Sequence, residues 1–143
     1  MRPTVEEQLL GTCRILEKVV SPCVADPYAR TILEGLIGNL RMLTGALPAV
    51  PGFLHNDNRS TAALLGQLQA IVAPELAACI ALALARPEPD AVDTIALNQR
   101  NGELRELFSQ ALCDTSITPA MQAAALAHMS ARAAAAQIGR AHV

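Results

Sequence analysis

Tryptophan is absent from this 143-residue chain, and Tyr28, Phe53 and Phe108 are its only aromatic side chains. Platforms on which successive bases could stack are therefore missing. An excess of positive charge is missing too: 11 basic residues stand against 13 acidic ones, scattered to a net charge of −2. Without a basic stripe to displace counterions, a nucleic-acid partner is not expected. Charged residues make up only 17% of the chain and hydrophobic ones 52%, a balance that argues against disorder. A chain of this length buries a core without staples, so a single domain over residues 1–143 is expected.

Paired cysteines are lacking as well. Cys13, Cys23, Cys79 and Cys113 form no CxxC pair, and none has a histidine at metal-ligand spacing. They read as small buried hydrophobes in a reducing compartment, and neither a metal nor a cofactor is expected. There is no GxSxG, P-loop, GxGxxG or HExxH, so no motif nominates a catalytic residue. Long apolar runs are also scarce. Ser60 to Ala85 carries Glu75 as its only charge, but Gln67, Gln69 and Pro74 interrupt it. Its uninterrupted part, Leu76 to Ala85, is too short to cross a bilayer. Met1 to Glu7 does not have the basic segment and apolar core of a signal peptide. The expectation is a cytoplasmic protein with no membrane partner.

What the chain does hold is alanine and leucine, 27 and 20 of them, with few β-branched residues. That balance favours helix throughout, and no strand pattern competes with it. The predicted fold is all-α, a helical bundle of about five helices. Thr4 followed by Glu7 is a capping-box signature for a first helix over Val5 to Val20, ended or kinked by Ser21-Pro22. Val5, Leu9, Cys13, Leu16 and Val20 form its apolar stripe.

Asp26-Pro27 predicts a second helix, with Asp as N-cap and Pro at the first position. Its core face is Ile32, Leu33, Leu36, Ile37, Leu40 and Leu43. Beside that runs a stripe of Thr31, Gly35, Gly38, Met42 and Gly45. A helical glycine costs about 1 kcal/mol relative to alanine, so the stripe points to close packing of another backbone, an interface. Tolerance on a solvated surface is the plain alternative.

Pro48, Pro51 and Gly52 predict a loop over Ala46 to Asp57. A third helical stretch follows from about Ser60 to Arg86, kinked or split at Pro74. Leu76 to Ala85 is apolar all round, which marks a central helix or an oligomer contact. After Arg86-Pro87-Glu88-Pro89, Asp90 is placed to cap a fourth helix ending near Cys113. Val92, Ile95, Leu104, Leu107, Phe108 and Leu112 are its expected anchors, with Asn101-Gly102 a potential interruption. Thr118-Pro119 opens an alanine-rich last helix to about Gln137.

The densest polar cluster is His55, Asn56, Asp57, Asn58 and Arg59 at the predicted loop-to-helix junction. A helix start presents unpaired N–H groups, so His55, Asn56, Asp57 and Arg59 are candidates for an anion or small-ligand site. The alternative is that Asp57 or Asn58 simply caps the helix. Asn101, on the line of Leu97, Leu104 and Phe108, is expected to point inward, either as a site residue or to fix helix register. Glu103 and Glu106 share a helix face, but without a second acidic pair or a Glu-x-x-His they read as surface ion-pair partners of Arg100 and Arg105.

Within Leu16 to Leu47, Val19-Val20-Ser21-Pro22 leads into Asp26-Pro27-Tyr28-Ala29-Arg30 and then a leucine-rich helix. This stretch resembles small all-helical bacterial proteins encoded beside phosphotransferase-like kinases and acyl-CoA dehydrogenases, a group without assigned activity. The resemblance implies an accessory or partner role in a catabolic operon and transfers no site residues. Together with the apolar surplus it favours a non-catalytic accessory or interaction protein that self-associates, with a homodimer as the simplest arrangement. The second reading is a binder of a small apolar, acyl-type ligand held between helices. An enzyme built on His55 to Arg59 with Asn101 or Glu103 comes third.

Overall fold

The computed structural model describes residues 3–114 and 118–138, and all regular structure among them is helical. The α-helices are α1 (Val5–Ile15), α2 (Pro27–Ala46), α3 (Val50–Leu68), α4 (Pro74–Leu84), α5 (Thr94–Leu112) and α6 (Pro119–Ile138). Because a 3-10 turn, Leu47–Ala49, joins α2 to α3, they amount to five helical runs, as expected. The chain divides into two compact units, Met1–Ala49 and Val50–Gln137.

In the first unit the capping chemistry is as the sequence predicts. The Glu7 N–H donates to Thr4 Oγ1 at 3.2 Å, and the Thr4 N–H donates to Glu7 Oε2 at 2.8 Å. Beyond Ile15 the helix widens into a π-helical turn, Leu16–Val20, then tightens into a 3-10 turn, Ser21–Cys23. Pro22 sits where that pattern changes and supplies no N–H to it. Asp26 Oδ1 accepts from the N–H groups of Tyr28 and Ala29 at 2.7 and 3.1 Å, with Pro27 opening α2. Arg30 donates through Nη2 to the Val24 carbonyl at 2.7 Å, which pins the turn entering α2.

α1 packs on α2, and Cys13, Ile37 and Thr44 are buried. Glu17 and Arg41 form an ion pair at 2.7 Å between the π turn and α2. The expected core face of α2 is only half realised. Leu33, Ile37 and Leu40 turn inward, whereas Ile32, Leu36 and Leu43 are 48%, 53% and 56% exposed. One partner helix covers one face of α2, and these three lie off it. Cys23, Cys79 and Cys113 are likewise exposed rather than buried.

The second unit starts earlier than predicted. In place of a loop over Ala46 to Asp57, the 3-10 turn leads straight into α3 at Val50. Pro51 falls in the first helical turn, where N–H groups have no intrahelical acceptor, so it removes no hydrogen bond. Pro74 splits the third stretch, as expected, by opening α4. Asp114 Oδ2 accepts from the Ala73 N–H at 2.9 Å just before that start. The N-cap of α5 is Asp93, which accepts from the Ala96 N–H at 2.9 Å; Asp90 instead closes the preceding turn on the Val92 N–H at 3.0 Å. That shift leaves Val92 and Ile95 largely exposed, so they anchor nothing. Asn101-Gly102 does not interrupt α5.

Asn58 of α3 bonds the Leu97 carbonyl near the start of α5, while Ala73 after α3 meets Asp114 after α5. α3 and α5 are therefore parallel, and they form the closest helix pair of the unit. α4 runs back between them in sequence, and α6 is antiparallel to α3, because Arg132 meets Asp57 and His128 meets Thr61. The apolar core lies toward the C-terminal ends of α3 and α5. It consists of Leu64, Leu65, Leu68, Val72, Ile80, Leu104, Phe108, Ala111 and Ala125.

Candidate functional site

Along α3, the positions Leu54, Asp57, Asn58, Thr61, Leu64, Leu65 and Leu68 repeat every three or four residues and are all buried. One helix face thus begins polar and ends apolar. The inward face of α5 matches it, with Leu97, Arg100 and Asn101 before Leu104, Phe108 and Ala111. Parallel packing brings polar against polar and leucine against leucine, so a polar layer sits beneath the apolar core.

Asn101 organises that layer. Its Nδ2 donates to Asp57 Oδ2 at 2.6 Å and to Asn58 Oδ1 at 2.9 Å. Asn58 Nδ2 in turn donates to the Leu97 carbonyl at 3.0 Å. From α6, Arg132 Nη2 reaches Asn101 Oδ1 at 3.5 Å, and its Nε lies 2.9 Å from Asp57 Oδ2. The Nε–H is not aimed along that short line, so the contact is an ion pair rather than a hydrogen bond. A buried carboxylate is costly unless paired and hydrogen-bonded, and Asp57 is both.

One turn further along α3, Thr61 Oγ1 lies 3.1 Å from His128 Nε2. The His128 ring also meets Phe108 edge-on, with centroids 5.5 Å apart and an interplanar angle of 77°. Two helices therefore hold a histidine whose sequence surroundings offer no partner. A cleft of about 120 Å³ opens beside it, lined by Thr61, Arg105, Phe108, Ser109, Leu112, His128, Met129 and Arg132.

The predicted cluster at residues 55–59 is divided by helical geometry. Asp57 and Asn58 turn inward to Asn101, while Asn56 and Arg59 are exposed on the other side of α3. His55 is half-buried, with Nδ1 enclosed and without a hydrogen-bond partner. None of these residues lies at a helix start, since α3 begins at Val50, and neither Asp57 nor Asn58 caps it. Asn101 points inward as expected. Glu103 takes Arg86 Nη1 at 2.9 Å on both carboxylate oxygens and lies 3.8 Å from Arg100 Nη1, while Glu106 accepts from Gln110. Arg100 is 7% exposed, and its Nε and Nη1 lack hydrogen-bond partners. Among the described residues no cluster of histidine, cysteine or carboxylate side chains has the makings of a metal site. No helix among them is long and apolar enough to cross a membrane.

The second feature is on α2. Thr31, Gly35, Gly38 and Met42 are all exposed, and a Cβ built at Gly35 or Gly38 would meet nothing within 4 Å. Among the described residues nothing packs on Gly35, while Gly38 borders a trough of about 470 Å³ that Glu17, Lys18 and Ser21 also line. Alongside them Tyr28, Ile32, Leu36, Leu43 and Leu47 are exposed, and Asn39 is the polar residue among them. The charges of this helix, Arg30, Glu34 and Arg41, project from its other side at 100° per residue. The outward half of α2 is therefore uncharged.

The signals for both features were present in the sequence. Once α3 is started at Val50, Asp57, Asn58 and Thr61 fall on the line of Leu54 and Leu65, and only the misplaced loop hid them. His128 and Arg132, at i and i+4, needed a partner that lies far away in sequence. The chain matches no protein-family model, no curated protein and no solved structure.

Proposed function

We propose that this chain is a non-catalytic, self-associating accessory protein whose two copies meet through the outward face of α2. The observation that carries this reading is the uncharged apolar strip of Ile32, Leu36 and Leu43, each about half exposed, with the open Gly35 next to Ile32 around the helix. A contiguous apolar patch on a helix of 20 residues, about 30 Å long, normally marks an interface.

The spacing favours a second copy as the occupant. In an antiparallel pair centred between Ile37 and Gly38, Tyr28 comes opposite Leu47, Ile32 opposite Leu43, and Leu36 opposite Asn39. The strip maps onto itself, which is what a two-fold contact requires. Gly35, three residues from Ile32 and on its side of the helix, adds no bulk at the edge of the contact. The accessory role is supported by the resemblance carried by Leu16 to Leu47, the same stretch that bears the strip.

Light scattering on a sizing column, across a concentration range, tests this. The expected mass is twice 15.0 kDa for the wild type and 15.0 kDa for Leu36→Glu with Leu43→Glu, with helicity unchanged. A wild-type chain that stays monomeric at every concentration, or a variant that still dimerises, overturns the reading.

A further inference from the structure

We infer that the cleft between α5 and α6 binds a small organic monoanion, a carboxylate carrying a short apolar chain. This is independent of self-association through α2. The cleft has a charged end and a greasy end. At the charged end, Arg105 of α5 has no ion-pair or hydrogen-bond partner among the described residues. Arg132 faces the same space, but its charge is matched by Asp57 behind it. No acidic residue lines the cleft, so one positive charge is left over, which suits a monoanion.

The polar groups around that charge are mostly donors. Arg105 presents a guanidinium fork, the geometry that takes a carboxylate through two parallel N–H···O bonds. The Ser109 hydroxyl can add a donor, and His128 is held in place by Thr61 and Phe108. The space of about 120 Å³ has room for about four water-sized groups, enough for a carboxylate and the carbons next to it.

At the greasy end, Leu112 and Met129 are shared with a second, shallower trough of about 290 Å³ completed by Gln122, Ala125 and Leu126. Leu126 and Met129 are 63% and 50% exposed, an apolar strip that runs on from the cationic head. A free phosphate would satisfy Arg105 and leave this strip uncovered. An alkyl alcohol would cover the strip and leave Arg105 unpaired. An amphipathic carboxylate does both.

Calorimetric titration of the full chain with butanoate, hexanoate and octanoate below their micellar concentrations tests the inference, with octanol and inorganic phosphate as comparison ligands. Saturable one-to-one binding is expected, tightening by about two- to fourfold per methylene as tail carbons leave water. Octanoate should also raise the melting temperature, since it binds only the folded state. Arg105→Gln, at an exposed and unpaired position that folding does not depend on, should weaken octanoate by about tenfold or more. Arg59→Gln, an exposed charge on the far side of α3, should leave the affinity unchanged. Leu126→Asn should flatten the dependence on chain length. The inference is overturned by an affinity indifferent to chain length, by octanol or phosphate binding as well as octanoate, or by Arg105→Gln binding like the wild type.

Discussion

In the unit Val50–Gln137, Leu65, Leu68, Leu97 and Leu104 are fully enclosed, whereas in the unit Met1–Ala49 three of the larger aliphatic residues of α2 remain about half exposed. The two segments draw on the same residue types and both build good helices. They differ in how many faces each helix can cover. A pair of helices shares one face, so a helix with apolar residues on more than one side leaves a strip open. Four helices surround a common space, and residues every three or four positions along each can be enclosed. Apolar content alone does not make a core; the number of neighbours does.

The sharpest way to break this comparison is a matched truncation in each unit. Leu65→Ala removes a side chain with no exposed surface and should cost about 2–5 kcal/mol in urea unfolding followed by circular dichroism. Leu36→Ala, measured at a concentration low enough to keep the chain monomeric, should cost no more than about 0.5 kcal/mol. Equal losses would mean that the strip on α2 is part of a core after all.

The polar layer sharpens the contrast from the other side. Asp57→Ala strands Arg132 beside a cavity and should cost about 2–3 kcal/mol, below the range for fully buried pairs because Arg132 is a quarter exposed. Replacing both partners, Asp57→Leu with Arg132→Met, should recover most of that loss in the same unfolding experiment, since no charge is then left unpaired. If the double variant is as unstable as the single one, the layer holds the unit together by more than its ion pair.

The smallest effect distinguishes solvated from packed glycine. With open space around its Cβ, Gly35→Ala should stabilise α2 by about 0.5–1 kcal/mol in the monomeric Leu36→Glu, Leu43→Glu background. Thermal unfolding monitored by circular dichroism reads this. A loss in place of a gain would place a neighbour at Gly35 that the isolated chain does not show.

Much of the fold was legible in the sequence because the signals are local. Thr4 with Glu7 and Asp26 with Pro27 each act on N–H groups within one turn and mark the helix starts predicted from them, and Pro74 splits the third stretch where a kink or split is predicted. The errors have the same origin. Pro48, Pro51 and Gly52 look like a loop because a proline is equally at home in a turn and in the first turn of a helix. Asp90 and Asp93 are both good N-caps, and three residues separate them; nothing local chooses between them. Of the candidate site, Asn101 was legible from its place among Leu97, Leu104 and Phe108. His55, Asn56 and Arg59 were grouped with Asp57 by adjacency, which a helix undoes at 100° per residue.

By itself the sequence determined an all-helical chain, the caps at Thr4 and Asp26 and the break at Pro74, because helix formation is a contest among groups a few residues apart. Only the tertiary structure decided that Asp57 would meet Asn101 and Arg132, and that Thr61 would meet His128. Those partners come from three helices, and each pairing depends on which neighbours α3 has and which way they run. It also decided that Ile32, Leu36 and Leu43 stay open to solvent while Leu65 and Leu104 do not. Burial is a property of the space between helices, and no single helix contains it.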